Sequence, residues 1–169
     1  ITTKFLNRIE SKTTTKKLIF SNNKQIARID TEDLNTNYCL SKEVNYSSYD
    51  VIILSDYNKG VLNEDWFKEI DFKNIFVDPK KENFSFYSNA SIITPNLNEL
   101  QRASKIKIHN NESIVQACSQ LIKDTQLQYI VAKKGSDGMT IVGKNNFIKH
   151  IDAIPVENPD VTGAGDTVI

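Results

Sequence analysis

Val51-Ile52-Ile53-Leu54 is an unbroken apolar run that stops at Ser55-Asp56. Four β-prone residues in a row, with no polar alternation, suit a strand covered on both faces of a parallel sheet. Asn74-Ile75-Phe76-Val77, Ser91-Ile92-Ile93-Thr94 and Tyr129-Ile130-Val131-Ala132 have the same character. Helical patterns alternate with these runs, over 63–70, 96–104 and 111–124. In the last of them Ile114, Ala117, Cys118, Leu121 and Ile122 share one face at i, i+3, i+4 spacing. The alternation predicts an α/β sheet with helices on both sides. Ligands of such sheets bind beyond the carboxyl ends of the strands. Polar residues gather at those ends here: Ser55-Asp56, Asp78-Pro79-Lys80, Thr94-Pro95-Asn96 and Lys133-Lys134-Gly135.

Two stretches read as antiparallel hairpins. Lys17–Phe20 and Gln25–Asp30 flank the turn formers Ser21-Asn22-Asn23, and the pair is expected to have one wet face. Met139–Val142 and Phe147–His150 flank Gly143-Lys144-Asn145-Asn146.

The bulk properties exclude several classes. Lys plus Arg and Asp plus Glu number 21 each, so no global field favours nucleic acid or an anionic membrane. No apolar run approaches the roughly 18 residues of a membrane span. Cys39 and Cys118 lie far apart and form no C-x-x-C pair, which predicts two buried free thiols in a reducing compartment such as the cytoplasm. His109 and His150 have no partners at metal-ligand spacing. Trp66 and Phe84-Ser85-Phe86-Tyr87 read as packing residues. No signal peptide opens the chain, and no initiator Met. Only a short run follows Gly165, so the sequence is expected to be a piece of a longer protein.

The chemistry concentrates in Asp160-Val161-Thr162-Gly163-Ala164-Gly165-Asp166. Gly163 and Gly165 let the backbone approach a ligand closely. If a helix opens there, its free N–H groups form an anion site, with Asp166 in the first turn able to accept a proton from a hydroxyl. A glycine-rich loop followed by a helix-favouring Asp would read the same way. No G-x-x-x-x-G-K-[ST] run is present, which excludes a P-loop.

Asp160–Thr167 resembles the signature of the ribokinase-like (PfkB) family of sugar and nucleoside kinases. Thr94-Pro95-Asn96-Leu97-Asn98-Glu99 resembles its second motif, N-x-x-E at a helix start. Within the family, Leu54–Leu62, Val77–Lys80 and Gln25–Asp30 look like the heptose 7-phosphate kinases. The resemblance spans residues ~16 to 169. It implies a three-layer α/β/α sandwich with a small antiparallel β lid, present as a partial chain. Residues 1–48 would be the lid region and its connection, and 49–169 the α/β core.

The resemblance also implies roles. Asp166 matches the catalytic base and Gly163, Ala164 and Gly165 the anion hole. Asn96 and Glu99 match residues that organise Mg²⁺ and the phosphates of ATP. Asp160 matches a carboxylate beside a monovalent cation such as K⁺, and Asp56 a sugar contact. Lys59 and Lys80 are either point-charge partners for a substrate phosphate or solvated surface charges. Gly135 and Gly138 fit the family's nucleotide loop. Lys133 stands where relatives carry Thr, so it either contacts ATP phosphate or marks a loop used differently.

The implied reaction is ATP-dependent phosphorylation of O1 of heptose 7-phosphate, in ADP-heptose synthesis for lipopolysaccharide core. The alternatives are a kinase for ribose, fructose or a hexose phosphate, and a catalytically inactive binding module. Expected partners are the sugar and ATP, a second copy through the lid, and an adenylyltransferase domain fused outside this chain. Nucleic acid and membrane are not expected partners.

Overall fold

The structure is a computed structural model and describes residues 14–22, 24–32, 46–70, 72–156 and 163–169. It contains two separate sheets. Strands β1 (Thr15–Ser21) and β2 (Lys24–Thr31) form the first hairpin. The second sheet has six strands in chain order: β3 (Ile52–Ser55), β4 (Ile75–Asp78), β5 (Ile92–Ile93), β6 (Tyr129–Lys133), β7 (Met139–Gly143) and β8 (Phe147–Ile151). Strands β3 to β6 run parallel, and β7 and β8 add antiparallel. Asn145 and Asn146 both take positive φ at the β7–β8 turn, a backbone that Asn tolerates better than most residues.

Helices α1 (Glu64–Glu69), α2 (Leu97–Ser104) and α3 (Asn111–Thr125) fill the three predicted segments. Each starts at an asparagine whose side chain accepts an otherwise orphaned backbone N–H: Asn63, Asn96 and Asn110. The predicted apolar face of α3 is buried in full, Cys118 included as a free thiol. Burial pushes that thiol up to about 12, so it stays protonated and inert. Cys39 lies outside the described residues.

Ile52, Leu54, Ile75, Val77, Ile93, Ile130 and Ala132 share one sheet face, as the strand registers require, and enter one core with the three helices. Around Phe67 the core is aromatic: Trp66, Phe86 and Tyr87 meet it at ring centroids of 5.3, 5.2 and 5.7 Å. Trp66 and the 84–87 cluster are therefore packing residues, as read.

Two expectations need correction. Strand β3 is not covered on both faces: Ile52 and Leu54 are buried, but Ile53 is 56% exposed. It stands at the edge of the described sheet, with a single neighbour, β4. Nor does the first hairpin have one dry face. Leu18 and Ile19 point to opposite sides yet are 47% and 45% exposed. Polar contacts tie it to the residues after β3: Lys59 pairs with Glu32, and the Lys16 ammonium sits 5.3 Å from the Tyr57 ring centre. No described helix is long and apolar enough to cross a membrane.

Candidate active site

Because β3 to β6 are parallel, their carboxyl ends deliver Asp56, Asp78, Thr94 and Lys133 to the same edge of the sheet. Asp56 is buried, and its oxygens are engaged within the protein. Oδ2 accepts the Tyr87 hydroxyl at 2.6 Å and Oδ1 the Asn58 N–H at 2.6 Å. The same phenol oxygen accepts the N–H groups of Lys80 and Lys81, both at 3.1 Å. Burial and the Asp56 carboxylate hold the Tyr87 phenol well above its ordinary range. Asp56 thus fastens the loop after β3 to the loop after β4. Replacing Tyr87 with Phe strands a buried carboxylate oxygen and frees two N–H groups. A loss of about 2–3 kcal/mol in urea unfolding is expected.

Asn96 and Glu99 form a reciprocal capping box on α2. Asn96 Oδ1 accepts the Glu99 N–H and Glu99 Oε2 the Asn96 N–H, each at 2.9 Å. The N-x-x-E spacing therefore has a local structural cause. The other oxygen of the buried Glu99 carboxylate accepts Lys80 Nζ at 2.8 Å. The hydrogen bond to Glu99 raises the Lys80 pKa. So neither predicted substrate lysine is simply solvated: Lys80 is paired with Glu99 and Lys59 with Glu32.

Lys133 is also paired. Its Nζ lies 2.5 Å from Asp78 Oδ1, which accepts the Thr94 hydroxyl at 3.0 Å as well. The ammonium is 3.5 Å from the carbonyl oxygen of Gly165.

Residues 163–169 form consecutive turns rather than the expected helix opening. Asp166 N–H donates to the Gly163 carbonyl at 3.0 Å and Val168 N–H to that of Gly165 at 3.4 Å, both i+3 closures. So short a run gains too few bonds to stabilise an α-helical turn. Gly163 supplies the positive φ of 72° at the first turn. Among the described residues, the N–H groups of Ala164 and Gly165 have no partner, and free backbone N–H groups in a turn suit an anion. The exposed Asp166 carboxylate receives the Tyr57 hydroxyl at 3.3 Å to each oxygen. Tyr57, Asp56 and Lys59 line a small cavity of about 210 Å³ in the loop after β3.

Gly135 and Gly138 bracket a tight turn between β6 and β7, in which Lys134 N–H donates to the Gly138 carbonyl at 2.8 Å. Lys134, Ser136 and Asp137 of this turn line a cleft of about 560 Å³ with His109 and Asn110. His150 does not reach it and hydrogen-bonds Thr140 at 2.9 Å.

The geometry brings Asp166, Gly165 and Lys133 together, and Lys80 with Glu99. Asp160 lies outside the described residues. The sequence marked Asp78 and Thr94 only as polar residues at strand ends and Tyr87 only as a packing residue; Tyr57, just past the end of β3, was missed, and its place at a strand end is the signal that could have found it. Among the described residues no group of three or more His, Cys, Asp or Glu forms a metal cage. Mg²⁺ in phosphoryl-transfer sites needs only one or two carboxylates plus substrate phosphates, so Glu99 fits that ion.

The chain is similar to known proteins along most of its length. The chain is 38% identical to the bifunctional protein HldE of Histophilus somni over 167 residues, covering 93% of the chain and 35% of the relative. It is 34% identical to that of Pelobacter propionicus over 174 residues, covering 94% and 35%. The chain thus spans about a third of the length of these relatives. The ribokinase of Thermotoga maritima superposes over 83% of this chain and 48% of its own, with a TM-score of 0.63 at 21% identity, and shares the fold. The model of the pfkB family of carbohydrate kinases matches residues 1–169, and the chain belongs to that family.

Proposed function

We propose that the chain is the phosphoryl-transfer part of an ATP-dependent sugar kinase acting on O1 of D-glycero-β-D-manno-heptose 7-phosphate. The observation that carries this reading is the Asp166 carboxylate, next in sequence to the Ala164 and Gly165 N–H groups that have no partner among the described residues, at the carboxyl edge of a parallel sheet. Asp166 accepts the O1 proton as O1 attacks the γ-phosphorus. The O1–P bond forms, the bond from phosphorus to the β–γ bridging oxygen breaks, and ADP leaves. The Ala164 and Gly165 N–H groups stabilise charge on the moving phosphoryl group. Mg²⁺ would be organised by Asn96 and Glu99 and would neutralise the ATP phosphates.

Glu99 is bonded to Lys80 in this structure, so Mg²⁺ would draw on the Glu99 carboxylate and a ligand phosphate on the Lys80 ammonium, at the expense of that pair. Gly135 and Gly138 shape the turn beside the larger cleft, which offers room for the nucleotide. Asp56 and Lys59 border the smaller cavity together with Tyr57, whose hydroxyl contacts Asp166, and this cavity is assigned to the sugar. The heptose reading is supported by segments 54–62 and 77–80 and by the identity to HldE proteins. A monovalent cation at Asp160, a dimer through the exposed β1–β2 hairpin and a fused adenylyltransferase domain belong to the same proposal, as does a cytoplasmic location.

ADP release by the full-length protein across a panel of sugars tests it. Turnover with heptose 7-phosphate and little with ribose, fructose or hexose phosphates is expected. Turnover with ribose alone would move the chain to another sugar. No turnover with any sugar would leave the inactive binding module.

A further inference from the structure

We propose that Lys133 is a positioning residue that ties the glycine turn carrying Asp166 to the end of the central sheet, and does so without touching ATP. The proposal rests on the kinase reading above. Lys133 ends β6, and its backbone is held by N–H donation to the Pro95 carbonyl at 2.8 Å and by a bridge to Asn96. Its side chain is only 14% exposed and that of Asp78 16%, so their 2.5 Å ion pair is shielded from water. Thr94 donates to the same Asp78 oxygen at 3.0 Å, which fixes the carboxylate across the ends of three adjacent strands.

With one of its three donors on Asp78, the ammonium reaches the Gly165 carbonyl at 3.5 Å. That carbonyl belongs to the peptide whose N–H is that of Asp166, and this N–H donates to Gly163 at 3.0 Å. Because a peptide is planar, holding its oxygen at one end and its N–H at the other fixes the plane from which the base projects. A lysine already neutralised by a close, shielded carboxylate has little charge left for a phosphate. Threonine at this position could not span to both Asp78 and Gly165.

The test uses the full-length protein with Lys133→Met, Lys133→Arg, Asp78→Asn and the Lys133→Met/Asp78→Asn double variant. Lys133→Met is expected to lower kcat by 10- to 100-fold with the KM for ATP within about twofold, as for a misplaced catalytic group. Arginine, which can still bridge carboxylate and carbonyl, should recover most of kcat. The double variant should be no slower than Lys133→Met, because both changes cut one tether. It also removes both charges, so it stays informative if Asp78→Asn alone unfolds. A tenfold rise in the KM for ATP with kcat retained would make Lys133 a nucleotide ligand and overturn the proposal. An unchanged kcat would overturn it too. Amide exchange at Asp166 separates this idea from the kinase reading: it should quicken in Lys133→Met whether or not the protein turns over. Unchanged exchange sinks the tether even in an active kinase.

Discussion

Asp166→Asn in the full-length protein lowers ATP-dependent sugar phosphorylation by about two to four powers of ten, the range for removing a general base. Asparagine keeps the shape and can still accept the Tyr57 hydroxyl, but it cannot take the O1 proton. The fold should not register the change. Asp166 is exposed, and its contact to Tyr57 is long at 3.3 Å, so stability is expected to stay within about 0.5 kcal/mol of the parent. Steady-state ADP release combined with thermal unfolding separates the two effects. Unchanged phosphorylation would refute Asp166 as the base while leaving family membership intact.

Gly138→Ala is expected to have the largest effect on stability. Gly138 has φ 85° and ψ −132°, a backbone that is essentially closed to residues with a side chain. Sterics add to this. A Cβ there would lie 2.0 Å from the Ile151 carbonyl oxygen and 2.7 Å from the Ala153 nitrogen. Both neighbours are backbone at the end of β8, so relief requires prying that strand end away from β7. A loss of about 3 kcal/mol or more is expected in denaturant unfolding. Gly135→Ala is the matched control. Its φ of 63° is also positive, but a Cβ would meet nothing within 4 Å, and about 1–2 kcal/mol is expected. Equal losses for the two would show that backbone conformation, not the clash at β8, sets the cost.

The elements legible in the sequence were those whose causes are local. The apolar face of α3, the asparagine-rich β7–β8 turn and the four apolar strand runs each carry their signal within a few residues. The structure follows them to within a residue or two. The site was legible only as positions. Lys59 and Lys80 look like free cations in sequence because their acids, Glu32 and Glu99, lie 27 and 19 residues away. Which acid meets which lysine is decided by how distant segments pack, and no periodicity carries that information. Nothing in the sequence announces that Asp56 also accepts the hydroxyl of Tyr87, 31 residues on. Asn96 and Glu99 read as ligand groups because their spacing matches a motif, yet the same spacing builds a helix cap. The exposed side of β3 was misread for a different reason: an apolar run marks what a strand can bury, not what lies over it.

The aromatic cluster beneath α1 also provides an optical consequence. Trp66 is the single tryptophan of the chain. Its indole is buried, meets Tyr46 edge-on at 5.8 Å and donates to that residue's hydroxyl at 3.2 Å. Excited selectively over the tyrosines, the chain's indole emits from a nearly dry environment, and its emission should shift to the red when the core opens. Trp66 touches neither the glycine turn nor the larger cleft. Ligand titrations should leave its spectrum almost still, which makes it a clean reporter of unfolding in the glycine variants.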